Sequence, residues 1–432
     1  MTKIKRSNQT VCIIGLGYVG LTLGVALARS GIKVHGVEIN DDVINSLDNF
    51  QAHFSEKGLN QILQNTIKSN ALTYSKEIPK SKKFSYYIIT VGTPLNEEGL
   101  PRTDMIERST AQISKHMDDN SVVILRSTVV LGTTRETIEP ILKRSKKKYM
   151  LAMCPERTLE GRALEELSNL PQIIGADNVQ TAQKCSELFQ NITPKTTIVS
   201  SWETAELIKL VDNTSRDLSF AFSNEIAKIS SLFGVDVYEV INKGKADYSR
   251  TNLPLPGPVG GPCLEKDPHI LSYSSKKKNF HPPITNASRQ INEDQVRDIA
   301  VILKNRLNNE LSQSKVLFCG LAFKGIPETD DLRGSMGIKL IDEFQNCKNI
   351  YVYDPVVKKI TAEKYGKFFD FQQEQSFDLI LLLNNHPKFN EIGYENLSKN
   401  LSKDGFIFDF WRTLDIFDQT KNYYHLGNIN KL

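Results

Sequence analysis

Few short segments restrict a fold as tightly as VCIIGLGYVGLTLGVALA, which runs from Val11 to Ala28. It is uncharged and follows Lys3, Lys5 and Arg6, so it imitates a signal peptide or a membrane span. Glycines at 15, 17, 20 and 24 interrupt it, and the strand-like IKVHGVEIN comes directly after. The order is strand, glycine turn, helix, strand, which argues against export. GLGYVG is a GxGxxG placed between strand and helix: Gly15 makes the turn, Gly17 lets the backbone approach a pyrophosphate, and Gly20 packs helix on strand. Tyr18 and Val19 complete the turn, and the helix N-terminus faces the phosphate charge. Glu38 ends the second strand 23 residues after Gly15, where a carboxylate bonds both ribose hydroxyls and disfavours a 2′-phosphate. The expectation is a domain that binds NAD rather than NADP.

Further along, YYIITV, SVVILR, KYMLAM and PQIIGA add four strand runs to VCIIGL and KVHGVE, with helical or looped crossovers between them. Such alternation predicts a parallel sheet with helices on both faces. From Trp202 to Phe233 the period changes. Leu207, Val211, Leu218, Phe222, Ile226, Ile229 and Phe233 form one apolar stripe on a long helix, which Gly234 ends. A polar, Pro/Gly-rich stretch from Lys243 to Pro262 and a helix from about Pro283 to Leu307 come next, and strands return with KVLFCGLAF, NIYVYD, FDLILLL and GFIFDF. The fold class is α/β: two Rossmann-like doubly wound domains, 1–200 and 309–432, joined by a helical middle region, 201–308.

A net charge of +4 over 432 residues gives no support for a nucleic-acid surface. The six cysteines, at 12, 154, 185, 263, 319 and 347, contain no CxxC pair, so no zinc site or thioredoxin-like motif is expected. Sparse, scattered cysteines suit a reducing cytoplasm. Cys263 differs from the rest, because PGPVGGPCLEKDP sets it after two glycines and before Glu265, Lys266 and Asp267. Taken alone that is an ordinary surface turn.

Taken with the rest of the chain it is not. GLGYVGL, TVGTPLNEEGLP, RSTVVLGTT, CPERTLEGRALEEL, AELIKLVDN, GGPCLEKD and GLAFKGIPETDDLRGS occur in this order. Together, from Val11 to about Asp409, they resemble the UDP-glucose/GDP-mannose dehydrogenase family. The resemblance implies an NAD domain, a central helix that builds a homodimer, and a second Rossmann-like domain holding the nucleotide of a UDP-sugar. It implies oxidation of the sugar's C6 alcohol to a carboxylate with two NAD per turn, through a thiohemiacetal and a thioester on Cys263, chemistry that suits a thiolate.

By the same resemblance Lys209 stabilises the alkoxide and later oxyanion, helped by Asn213. Asp267 orders a water in proton transfer, Lys266 faces NAD, and Thr128 positions water and cofactor. Glu156 assists thioester hydrolysis, while Glu160 and Thr93 lie at the cofactor. Arg157 and Gly260 border the substrate, Lys324 meets a phosphate of its nucleotide, Arg333 reaches NAD, and Arg250 reaches the sugar-nucleotide from the neighbouring subunit. No metal, membrane or nucleic acid is expected. Lys209 and Asn213 are four apart, hence on one helix face, whose ordinary fate is exposure to solvent.

Pro262 stands where members carry Ser or His, and Lys57 in AHFSEKGL where proline is usual; both border the sugar. CPERTLEGR and DNTSRDLSFAFSNEIA lean toward dehydrogenases of UDP-N-acetylmannosamine and UDP-N-acetylglucosamine, whereas LEKD and Glu160 lean toward UDP-glucose enzymes. A two-electron hydroxyacid-type dehydrogenase also begins with GxGxxG, but needs neither Cys263 nor a second α/β domain. A non-enzymatic NAD sensor would be expected to lack Lys209, Cys263 or Asp267.

Overall fold

In a computed structural model, which describes residues 9–307, 311–416 and 420–432, the strand runs close into two separate sheets. Lys3, Lys5 and Arg6 lie outside the described residues. The chain divides into two units, Met1–Asp212 with His269–Phe280, and Asn213–Pro268 with His281–Leu432.

The first unit carries β1 (Thr10–Ile14), β2 (Lys33–Val37), β3 (Leu72–Ser75), β4 (Tyr86–Ile89), β5 (Ser121–Leu125), β6 (Tyr149–Met153), β7 (Gln172–Ala176) and β8 (Thr196–Val199). They are ordered β3-β2-β1-β4-β5-β6-β7-β8. The first six strands have the 3-2-1-4-5-6 order of a dinucleotide-binding sheet. Along β1, Val11 and Ile13 enter the core on one face while Cys12 and Ile14 enter that on the other, which is why the run reads as continuously apolar. Two strands escape the sequence reading. LTYS (β3) and TTIV (β8) are the sheet edges, short and partly polar, so neither presents an apolar run.

One expectation is corrected: β7 runs antiparallel to β6. The helix between them, Ala163–Asn169, has 7 residues. With 7 residues it is far shorter than the helix that usually carries a βαβ crossover between parallel strands. The chain therefore enters β7 from the end at which it left β6.

The second unit carries β9 (Lys315–Cys319), β10 (Asn349–Tyr353), β11 (Lys367–Phe368), β12 (Phe377–Leu382), β13 (Leu401–Asp409) and β14 (Tyr423–His425). All are parallel, in the order β11-β10-β9-β12-β13-β14. Its first turn repeats that of the first unit. Gly15 and Gly320 both have φ +94°, and their N–H groups donate to Val37 and Tyr353 carbonyls at 2.8 Å. Glu38 accepts from the Leu16 N–H at 2.8 Å and Asp354 from the Ala322 N–H at 3.0 Å. Each unit thus has a glycine turn closed by a carboxylate at the end of the second strand.

The central helix spans Trp202–Leu232, and Gly234 ends it at φ +67°. One polar face of it is inside, beside the buried Trp202 and Leu210. Glu206, Lys209, Asn213, Asp217 and Asn224 are buried, while Leu207, Val211, Phe222, Ile229 and Phe233 of the apolar stripe are exposed. No described helix is long and apolar enough to cross a membrane.

Helix–strand contact at the glycine turn yields a prediction. A Cβ on Gly20 would lie 1.9 Å from the Gly15 carbonyl oxygen, whereas one on Gly17 would meet nothing within 4 Å. Gly20→Ala should cost about 1–3 kcal/mol by overpacking, and Gly17→Ala at most about 0.5 kcal/mol, read from urea unfolding. Equal midpoints for the two variants would contradict the packing argument.

Candidate active site

Around the glycine turn the backbone is prepared for a close ligand. The Thr90 hydroxyl donates to the Ile14 and Gly15 carbonyls at 3.0 and 2.7 Å, steadying the turn from β4. The helix Tyr18–Arg29 has no side-chain cap at Gly17, so its first N–H groups point into open space. A dinucleotide fits this cradle: an uncapped helix start, a glycine with room beside it, and a carboxylate one strand over. Glu38 Oε1 also accepts from the Ile39 and Asn40 N–H groups at 2.8 and 2.9 Å, which sets its carboxylate at the rim. Val19 is half-buried in the first helical turn.

Tyr18 ties this turn to two distant loops. Its hydroxyl donates to Glu56, and the Gly161 N–H reaches both Tyr18 Oη at 3.0 Å and Glu56 Oε2 at 2.8 Å. Burial first, then Glu56 and more weakly Glu160, push the Tyr18 phenol well above its ordinary value. It remains a neutral donor. Thr93 donates to the Thr128 carbonyl, joining TVGTP to RSTVV.

Below the CPERT loop lies a buried charge that the sequence reading missed. Arg126, at 2% exposure, pairs with Glu156 and donates to the Cys154 carbonyl at 3.1 Å and Gln172 Oε1 at 2.7 Å. The other Glu156 oxygen accepts from the Arg157 and Thr158 N–H groups at 2.7 and 2.8 Å. Burial alone would raise the Glu156 carboxyl. The Arg126 guanidinium, the Thr158 N–H and the nearby charge of Lys209 hold it below its ordinary value. Arg157 pairs with Asp212 at 2.7 Å. Lys209 is buried at 7% exposure, so the ordinary solvated lysine on a helix face is excluded here. Glu206, one turn earlier on the central helix, accepts from the Gly132 and Thr134 N–H groups at 2.6 and 2.8 Å and thereby fixes the end of RSTVVLGTT.

In the second unit Cys263 is the one exposed cysteine; the other five are buried. Burial pushes the Cys12 and Cys319 thiols far up, as expected of core residues. Cys263 sits in a four-residue helix, Gly261–Leu264, with Pro262 in its first turn. Its cradle is made of glycines. A Cβ on Gly260 would meet the Gly334 carbonyl oxygen at 2.1 Å, and one on Gly261 (φ +92°) the Phe323 ring at 2.4 Å. The Gly261 N–H donates to that Gly334 carbonyl at 2.8 Å. GGPC, GLAFK and LRGS are therefore packed on one another.

One turn beyond, Asp267 is wholly buried and accepts from Asn213 Nδ2 at 2.6 Å and from Lys266 Nζ at 2.6 Å. The structure thus brings Asn213, Lys266 and Asp267 together. Arg333 grips Asp331 with Nε and Nη2 at 2.9 and 2.6 Å. Lys324 lies over the Phe323 ring at 5.2 Å, and the exposed Arg250 over Tyr248 at 5.7 Å. Thr90, Arg126 and Glu206 went unread because their signal is a partner, and each partner lies 28 or more residues away.

A dinucleotide-binding sheet, a nucleophile candidate in a glycine cradle and a second sheet with its own glycine turn define an NAD-dependent oxidoreductase of the nucleotide-sugar type. Profiles of the UDP-glucose/GDP-mannose dehydrogenase family match throughout: the NAD binding domain at residues 9–193, the central domain at 203–294 and the UDP binding domain at 317–416. A UDP-N-acetyl-D-mannosamine dehydrogenase of Pyrococcus horikoshii is 31% identical over 401 residues, 90% of this chain and 93% of that one. The structure of UDP-D-ManNAc dehydrogenase from the same organism superposes with a TM-score of 0.89 at 27% identity, covering 98% of this chain and 100% of the other. A UDP-N-acetyl-mannosamine dehydrogenase of Staphylococcus aureus gives 0.82 at 26%, with 98% and 100% covered. The chain belongs to the UDP-glucose/GDP-mannose dehydrogenase family and is an NAD-dependent nucleotide-sugar dehydrogenase.

The Arg126–Glu156 pair carries a pH signature. A carboxyl held low when folded contributes stability that is present above its ordinary value of 4.5 and is lost as pH falls through the lower folded value. Glu156→Gln should cost about 3–5 kcal/mol at pH 7, because Arg126 is left buried and unpaired. The difference from the parent, read from urea midpoints, should narrow below pH 4.5. A difference independent of pH would exclude an ionic role.

Proposed function

We propose that the chain oxidises C6 of UDP-N-acetyl-D-mannosamine to the carboxylate, in four electrons, through Cys263. The single observation that carries this is the exposed thiol held by the Gly260–Gly261 cradle, one turn before the Asn213–Asp267–Lys266 cluster. The names of the relatives support the sugar. NAD, when bound, supplies the hydride acceptor for both oxidations, two per sugar. Gly15, Gly17, Tyr18, Val19 and Gly20 would hold its phosphates, Glu38 its ribose, with Thr93, Thr128, Glu160, Lys266 and Arg333 around it.

In this reading Lys209 and Asn213 stabilise the C6 alkoxide, and the Cys263 thiolate adds to the C6 aldehyde to form a thiohemiacetal. Loss of the second hydride leaves a thioester, which water cleaves to carboxylate and free thiol, with Asp267 ordering that water. Glu156, already bonded by Arg126 and two N–H groups, contributes a fixed negative charge near Lys209 and shapes the loop that carries Arg157. Lys324 meets a phosphate of UDP, Gly260 borders the sugar, and Arg250 acts from the neighbouring copy.

The exposed stripe Leu207, Val211, Phe222, Ile229 and Phe233 supports a homodimer along the central helix. Six unpaired cysteines support a cytoplasmic enzyme. We divide the chain functionally at 1–200, 201–308 and 309–432.

Glu38 should make NAD preferred over NADP by at least about tenfold in kcat/KM, about 1.4 kcal/mol; equal efficiencies would remove Glu38 from the ribose site. For the substrate, UDP-N-acetylmannosamine, UDP-N-acetylglucosamine and UDP-glucose are compared by absorbance at 340 nm, with the first expected to be fastest and to give two NADH per uronate. Cys263→Ser should retain binding of both ligands and lose uronate formation by at least about a thousandfold. Uronate at the parent rate would make Cys263 structural.

A further inference from the structure

The stretch Leu255–Leu264 has little regular structure until its last four residues, yet most of it is buried or half-buried. Something other than a sheet or a helix must hold it. What holds it is a polar network between the central helix and the helix Pro283–Arg306. Asp217, Asn224, Arg289 and Asn292 are each 3% exposed or less. Arg289 Nη1 pairs with Asp217 and also donates to the carbonyl of Leu264 at 3.0 Å, while Nη2 reaches the Val259 carbonyl at 3.5 Å. Asn224 brackets Gly257, accepting from its N–H at 2.9 Å and donating to its carbonyl at 3.1 Å. Asn292 closes the ring, donating to Asp217 Oδ1 at 2.9 Å and accepting from Asn224 at 2.9 Å.

Burying a guanidinium costs several kcal/mol unless its donors are satisfied. Pairing with Asp217 answers the charge but uses few of the five N–H groups. The carbonyls that use others belong to the residue directly after Cys263 and to one four residues before it. A planar fork with fixed donor directions sets both carbonyls at once, which a lysine ammonium cannot do. We propose that Arg289, held by Asp217 and, through Nε, by Glu293 at 3.2 Å, is the positioning residue for Cys263, and that Asn224 fixes the start of the same loop. The pair sets where the thiol sits and takes no part in bond making. This rests on the reading of Cys263 as the nucleophile.

The test separates the first oxidation, which needs no thiol, from the second, which does. Parent, Arg289→Lys, Asn224→Leu and Cys263→Ser are mixed with NAD and UDP-N-acetylmannosamine. The first NADH is read by stopped flow, uronate by chromatography, and folding by thermal melts. Because one partner left in a buried pair is strongly destabilising, the double variant Asp217→Asn/Arg289→Met is measured beside the single ones.

Arg289→Lys and the double variant should form the first NADH within about threefold of the parent. Uronate should fall at least about thirtyfold, and KM for the sugar-nucleotide should stay near the parent's. Asn224→Leu should show the same split, less deeply. Parallel loss of both steps, tracking the fall in melting temperature, would overturn the proposal and leave the network merely structural. So would uronate at the parent rate. If Cys263→Ser itself makes uronate at the parent rate, the nucleophile reading fails instead, whatever the Arg289 variants do.

Discussion

Burial of the polar face of the central helix is the constraint on which the rest of this molecule depends. A 31-residue helix would ordinarily turn Glu206, Lys209, Asn213, Asp217 and Asn224 to water and its leucines and phenylalanines inward. Here those five polar residues are buried, and Leu207, Val211, Phe222 and Ile229 are exposed, although Trp202 and Leu210 remain inside. Each buried polar group costs free energy unless it is bonded, and four of these five hold a partner from elsewhere in the chain. Glu206 takes the N–H groups of Gly132 and Thr134, Asn213 takes Asp267, Asp217 takes Arg289, and Asn224 takes Gly257. The helix works as a rail along which the irregular segments of the chain are fastened. The exposed apolar face is the counterpart of that arrangement.

Glycines do the complementary work. Bonds from the rail fix a loop's position, and the missing Cβ atoms let loops touch. Gly20 sits against the Gly15 carbonyl, Gly260 against that of Gly334, and Gly261 beneath Phe323. A methyl group at any of these would overlap backbone or ring. Gly260 and Gly334, 74 residues apart, are thereby held at backbone contact, closer than side chains would allow. The position of Cys263 therefore depends on Gly334 and Phe323 as well as on its own neighbours.

The two glycine turns also show one supersecondary device used in both units. Both turns have the same dihedral and the same closing carboxylate, Glu38 or Asp354. They differ in the segment that leaves the turn. Gly17 opens a helix with no side-chain cap, whereas the next helix of the second unit begins only at Met336 and is capped by Ser335. The first turn leads into a helix start with no side-chain cap. The second leads into a loop that carries Lys324. That difference arises from local backbone alone.

By itself the sequence determined the α/β class, the first glycine turn with Glu38, the extent of the central helix to within a residue and the singular setting of Cys263. Each is written in a short, contiguous signal: a period, a glycine spacing, a run of apolar residues. The edge strands Leu72–Ser75 and Thr196–Val199 were not legible, since an edge needs little apolar surface, and neither was the reversal of β7, because an apolar run reads the same in either strand direction. Only the tertiary structure decided which face of the central helix is inside. It also decided that Arg126 meets Glu156 and Arg289 meets Asp217, pairs 30 and 72 residues apart. The physical reason is that a buried charge is identified by its partner, and partners distant along the chain leave no mark in the local pattern of either.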